Sequence, residues 1–146
     1  MISKVLVPVD GSQNSVRAAE HALKLMKMNR DMEMTILNVV SVPEDPEELL
    51  AFRFSGNGAD NEKDLYKQSK MILDQVFTIF NKERLEVGLA IDKGDAGEKI
   101  ATFAADGQYE LIVMGLRGQS DQLDVDLGSV SLKVIRLVEC PVTLVK

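Results

Sequence analysis

Lys4-Val5-Leu6-Val7-Pro8-Val9-Asp10-Gly11-Ser12 is the stretch on which the fold turns. Lys4 to Val9 is a short, apolar, β-branched run, the composition of a strand buried on both faces. Pro8 stands near its carboxyl end, where a lost ladder donor matters least. Asp10-Gly11-Ser12 turns the chain, and Ser12 suits the N-cap of a following helix. Behind it Val16, Ala19, Leu23 and Met26 recur at helical spacing, with Arg17, Glu20 and Lys24 on the opposite side.

Outward from this unit the pattern repeats. Met34 to Val40 reads as a second strand, Leu85 to Ile91 as a third, and the wholly apolar Leu111 to Met114 as a fourth. Val142 to Val145 reads as a fifth, its start set by Pro141. Between them lie helical stretches. One runs from Glu62 to Lys82, with Leu65, Ile72, Val76, Ile79 and Phe80 as its inward stripe. Another follows Gly94-Asp95-Ala96-Gly97-Glu98, where Asp95 and Glu98 form a capping box, and turns Ile100, Phe103 and Ala104 inward. The last runs from Ser129 to Val138. Ser41 to Asn61, with two prolines, two glycines and the acidic group Glu44, Asp45, Glu47 and Glu48, reads as a long solvated excursion. Strands alternating with helices predict a doubly wound parallel sheet with helices on both faces. Ligands of such sheets sit beyond the carboxyl ends of the strands, where strand order reverses.

A length of 146 residues suits one domain, 1–146, large enough to hold its core without a metal or disulfide staple. Apolar residues make up 45% and charged residues 27%, an ordinary globular balance. The net charge of -6 argues against nucleic acid as a main partner, and 5% aromatics with no Trp argue against a base-stacking platform. The single Cys140 precludes an intrachain disulfide and suits a reducing compartment. No apolar run reaches membrane-spanning length, and the start has no signal-peptide layout, so a cytoplasmic protein is expected. Cys140, His21 and Met26, Met28, Met32 and Met34 are read as packing or surface residues.

The chemistry concentrates after the fourth strand, where Gly115 and Gly118 are separated by two residues, Gly118 and Gly128 by nine, and Ser129 opens a helix. Glycines admit backbone N–H groups close to phosphate oxygens, and a helix start adds donors and a favourable dipole. Ser129 and Ser131 add hydroxyls, and Arg117 is the loop's only cation. Asp121, Asp124 and Asp126 would oppose a triphosphate unless a divalent cation intervenes or they face solvent. No Walker-type loop and no dinucleotide fingerprint is present.

Gly115-x2-Gly118-x9-Gly128-Ser129, together with Val7-Pro8-Val9-Asp10-Gly11-Ser12 and the closing Cys140-Pro141-Val142-Thr143-Leu144-Val145, resembles the universal stress protein family in its ATP-binding branch. The resemblance spans nearly the whole chain. It implies strand order 3-2-1-4-5, an adenine nucleotide alpha hydrolase-like fold, and a nucleotide held where the first and fourth strands end. Carried over by position, Pro8, Val9 and Asp10 would lie near ribose and adenine, and Val39 would line the adenine pocket. Met114, Gly115, Arg117, Gly118, Gly128, Ser129, Val130 and Ser131 would hold ribose and phosphates. Many relatives have His at the position of Asn38.

The expected cofactor is ATP, with ADP or AMP as alternatives and Mg2+ as a companion. The expected partners are a second copy, paired through Val142 to Val145, and an unidentified protein. With no evident general base beside the loop, a nucleotide-responsive binding protein in stress response is favoured over an enzyme, with weak ATPase activity at most. A slow Mg-dependent hydrolase or phosphotransferase, and a nucleotide-free dimeric scaffold, are the alternatives.

Overall fold

The computed structural model describes residues 1–42, 45–54, 58–117 and 127–146. The elements run β1 (Lys4–Pro8), α1 (Gln13–Met28), β2 (Glu33–Val40), α2 (Pro46–Phe54), α3 (Gly58–Asn81), β3 (Gly88–Lys93), α4 (Ala96–Asp106), β4 (Leu111–Gly115), α5 (Ser129–Leu137) and β5 (Val142–Val145). The strands form one parallel sheet in the order β3-β2-β1-β4-β5. Strand order therefore reverses between β1 and β4, as expected for a doubly wound sheet.

Alternate strand residues feed two cores. Val5 and Val7 of β1, Met34 and Ile36 of β2, and Leu111 and Val113 of β4 pack with Ala18, Ala19, Ala22 and Met26 of α1 and Leu73, Val76 and Phe80 of α3. Leu6, Leu37, Ile112 and Met114 face the other way, onto Ile100 and Ala104 of α4 and Val134 of α5. The small face of α1 brings that helix close to the sheet, so side chains from the strands fill the layer. Phe80, Leu6, Ile36 and Ile112 are fully buried, and each such side chain is worth roughly 1.5–3 kcal/mol of burial. Met26, Met32 and Met34 fill the first core, while Met28 is exposed.

Two expectations are corrected. Ser41 to Asn61 is not all excursion: α2 lies within it, and α3 begins at Gly58 rather than Glu62. The acidic group there contains a helix start. Asp45 Oδ1 accepts the N–H groups of Glu47 (2.9 Å) and Glu48 (3.1 Å), and Pro46 takes the first helical position, where its missing N–H costs nothing. The third strand begins at Gly88, not Leu85. The Leu85 N–H donates to the Phe80 carbonyl (3.1 Å), so Leu85 closes α3 and packs into the first core.

The expected caps are present. Ser12 Oγ accepts the Ser15 N–H (3.2 Å) at α1, and Asp95 accepts the Glu98 N–H (3.0 Å) at α4. Cys140 packs against the second core, and burial pushes its thiol pKa up.

Candidate functional site

The carboxyl ends of β1 and β4 diverge at the reversal point, and a cleft opens between them. Its space, open mouth included, is about 490 Å³. Pro8, Val9 and Asp10 come from the end of β1, Leu37 and Val39 from β2, Met114, Gly115 and Arg117 from the end of β4, and Val130 and Ser131 from α5. Ser12, Ser15, Ala96 and Ile100 complete the lining.

The β1–α1 turn is closed by its own side chains. Gly11 has φ 84°, a left-handed conformation that favours glycine. The Ser12 N–H donates to Asp10 Oδ1 (2.9 Å), Ser15 Oγ donates to the Ser12 carbonyl (2.9 Å), and the Asp10 N–H donates to Ser15 Oγ (3.3 Å). Behind the turn, buried Asn38 donates from Nδ2 to the Val9 carbonyl (2.7 Å) and accepts from Ser69 Oγ of α3 (2.6 Å). Asn38 thus fixes the end of β1 to both β2 and α3.

The β4 side is built by close approach. A Cβ on Gly115 would stand 2.9 Å from the Asn14 carbonyl carbon and Cβ, so glycine lets the first turn of α1 lie against the end of β4. Asn14 Nδ2 donates to the Arg117 carbonyl (3.2 Å), and Ser131 Oγ donates to the Gly115 carbonyl (2.9 Å). The Gly128 N–H closes the loop's base on the Leu116 carbonyl (2.9 Å). Gly128 is the N-cap of α5 at φ −66° and ψ 154°, with no side-chain cap hydrogen bond. An uncapped helix start favours anions through its N–H groups and dipole.

The far wall is held by a charge cluster. Lys133 Nζ of α5 meets Asp95 Oδ2 (2.9 Å) and Glu98 Oε1 (3.5 Å) at the start of α4. The Lys133 hydrogen bond lowers the Asp95 pKa, and Asp95 in turn raises that of Lys133. The aliphatic stem of Lys133 crosses Gly97, where a Cβ would lie 2.8 Å from Cδ.

Of the residues singled out from sequence, Pro8, Val9, Asp10, Val39, Met114, Gly115, Arg117, Val130 and Ser131 are brought together around the cleft. Gly128 and Ser129 stand at its edge, at the start of α5. Gly118, Asp121, Asp124 and Asp126 lie outside the described residues. Sequence reasoning missed Ser15, Leu37, Ala96 and Ile100 as lining, and the bracing role of Asn38. A polar residue inside the run Thr35-Ile36-Leu37-Asn38-Val39 was the available signal for the last. Asp10 and Arg117 are the charged residues lining the cleft among those described. Among the described residues no group of three or more His, Cys, Asp or Glu is arranged to hold a metal.

A family model described as the universal stress protein family matches residues 1–146. Universal stress protein MJ0531 of Methanocaldococcus jannaschii is 30% identical over 146 residues, covering 100% of this chain and 83% of that protein. The solved structure of MJ0577 superposes with a TM-score of 0.83 at 25% identity, covering 100% and 96% of the two chains; that protein is also from Methanocaldococcus jannaschii. A universal stress protein in complex with cAMP has the same fold (TM-score 0.73, 22% identity, 99% and 97% covered). So does an AMP-bound family protein from Arabidopsis thaliana (TM-score 0.67, 21% identity, 99% and 91% covered).

Proposed function

The chain belongs to the universal stress protein family, and we propose that its single domain binds an adenine nucleotide, ATP foremost, in the cleft between β1 and β4. The observation that carries this reading is the convergence of Pro8, Val9 and Asp10 after β1, Met114, Gly115 and Arg117 at the end of β4, and Val130 and Ser131 of α5 on one cleft where strand order reverses. The cAMP and AMP complexes of proteins with this fold support the ligand class. In this reading Val9, Val39 and Leu37 face the base, Asp10 accepts from ribose hydroxyls, and Arg117, Ser131 and the glycine loop hold phosphates. Mg2+ would accompany the phosphates and offset their charge.

The protein acts by binding and through a protein partner in stress response, with at most slow hydrolysis. The cleft lining offers no His and no carboxylate besides Asp10 among the described residues. A cytoplasmic location fits this role, and among the described residues no helix is long and apolar enough to cross a membrane. We further propose a two-fold dimer through β5, an edge strand whose outer ladder has no partner within the sheet.

Calorimetry and thermal shift with ATP, ADP and AMP, with and without Mg2+, test the site. Saturable binding is expected; no heat and no shift at millimolar nucleotide defeats the reading. Turnover at about 1 s⁻¹ or faster, within the ordinary enzyme range, would instead assign a hydrolase. Light scattering should report twice the 16.1 kDa chain mass, and a monomer at micromolar concentration removes the dimer. Val142 and Leu144 pack on the second core, so charging them would disturb the fold, and the parent's mass is the deciding measurement.

A further inference from the structure

The opposite edge of the sheet carries a second open concavity, which shares no lining residue with the nucleotide cleft. Its floor is Leu89 and Ile91 of β3, and its other wall is the amino-terminal half of α3 with Leu65 and Tyr66. Leu89 is 43% and Tyr66 50% exposed, an unusual placement for large apolar side chains on one contiguous surface. Lys70 Nζ lies 5.3 Å from the Tyr66 ring centre and steadies it.

The rim decides what such a surface takes. Lys63, Lys67, Lys70 and Lys93 surround it, against Glu62 and Asp92. Glu62 stands 3.9 Å from Lys93. Among the described residues the groove therefore has a surplus of positive charge, in a chain whose formal charge is -6. β3 also pairs only with β2, so its outer backbone groups face outward within the sheet order. An edge strand, an apolar floor and a cationic rim together match an extended peptide whose groove-facing side, every second residue, carries both apolar and acidic side chains.

We propose that the β3–α3 groove docks an acidic, extended segment of a protein partner as an added strand on β3. Its backbone pairs with Gly88–Lys93. Its apolar side chains cover Leu89 and Tyr66, and its carboxylates meet Lys63, Lys67 and Lys70. Nucleic acid fits less well, because Glu62 and Asp92 interrupt the cation rim and a single exposed ring offers no run of stacking surfaces. The proposal is independent of nucleotide binding.

The test is an NMR titration of the 15N-labelled full chain with a synthetic seven-residue peptide whose alternate residues are in turn glutamate, leucine, isoleucine and glutamate, with threonine between them. The expected result is saturable shifts of the Leu89, Ile91, Lys67 and Lys70 amides, weakened by 0.5 M salt through screening. The same peptide with lysine in place of glutamate should leave those signals unmoved. Lys67→Glu with Lys70→Glu, both on exposed positions, should weaken binding roughly tenfold, about 1.4 kcal/mol, with an unchanged thermal midpoint. No shift at millimolar peptide, equal shifts with the lysine peptide, or shifts confined to other residues would overturn the proposal. Stronger shifts of these residues with oligothymidylate would assign the groove to nucleic acid. Shifts produced by concentrating the protein alone would assign it to a second copy.

Discussion

The two turns that meet at the head of the cleft are built on opposite plans. The β1–α1 turn consumes its own polar groups: Asp10 holds the Ser12 N–H, Ser12 caps α1, and Ser15 closes back on both. The β4–α5 turn starts and ends on glycine, and α5 begins without a side-chain cap. At one helix start the cap is a serine side chain; at the other the cap residue is glycine, which has none. The same contrast separates α4, capped by Asp95, from α5, although both border the cleft. The difference between these N-termini lies in a single side chain at each cap.

The sharpest way to break this contrast is to give α5 the cap it lacks. Gly128→Asp places a carboxylate where the proposed phosphates sit, and φ −66° and ψ 154° suit any residue. Nucleotide affinity should fall by roughly thirtyfold or more, about 2 kcal/mol, by isothermal calorimetry. Unchanged affinity in a folded variant would detach the ligand from α5. Next in size is Gly115→Ala. Its methyl would press on Asn14 backbone and Cβ atoms at 2.9 Å, and overpacking of this kind costs about 2–3 kcal/mol. Urea unfolding should report that loss, and a neutral result would show that α1 can withdraw from β4.

Asn38→Leu should cost about 2 kcal/mol, because the buried Val9 carbonyl and Ser69 hydroxyl both lose their partner. It should also loosen nucleotide binding through Val9, whereas a purely structural Asn38 would change stability alone. The smallest expected effect concerns the Asp95–Lys133 contact. The Asp95 pKa is lowered in the folded chain from an ordinary 3.8. The contact's contribution is therefore fully present above about pH 4 and is lost as pH falls through the lowered value. Both side chains are partly exposed, so solvent screening keeps its contribution small. Asp95→Asn keeps a capping side chain, and its unfolding midpoint should trail the parent's at pH 6 and close on it as pH falls below about 4. A constant gap across that range would exclude the carboxylate as the source.

What was legible in the sequence follows from which signals are local. β1, β4 and β5 announced themselves because a central or short parallel strand is a nearly unbroken apolar run. β3 was displaced because Leu85 and Val87 are as apolar as strand residues, yet Leu85 serves the end of α3, and an edge strand tolerates Asp92 and Lys93. α2 was hidden behind its acidity: Asp45-Pro46-Glu47-Glu48 is a helix-start pattern, but the helix behind it has little amphipathic contrast to extend the signal. At the site, the glycine spacing was readable but its reason was not. Gly115 is shaped by α1, a neighbour one hundred residues distant in the chain, and no periodicity encodes such a contact. Ile100 entered the cleft lining as a core residue whose last exposed atoms face it, and Ala96 as a half-buried residue at the start of α4.

The parallel direction of β5 gives the two chain ends different neighbourhoods. The Val145 carbonyl accepts the Leu116 N–H (2.8 Å), one residue beyond the end of β4. Ser3 instead hydrogen-bonds Glu110 (2.7 Å), just before that strand begins. A reporter joined after Val145 would hang beside the cleft mouth and feel its contents, whereas one joined before Ser3 would hang from the opposite rim, with the full length of the sheet between them.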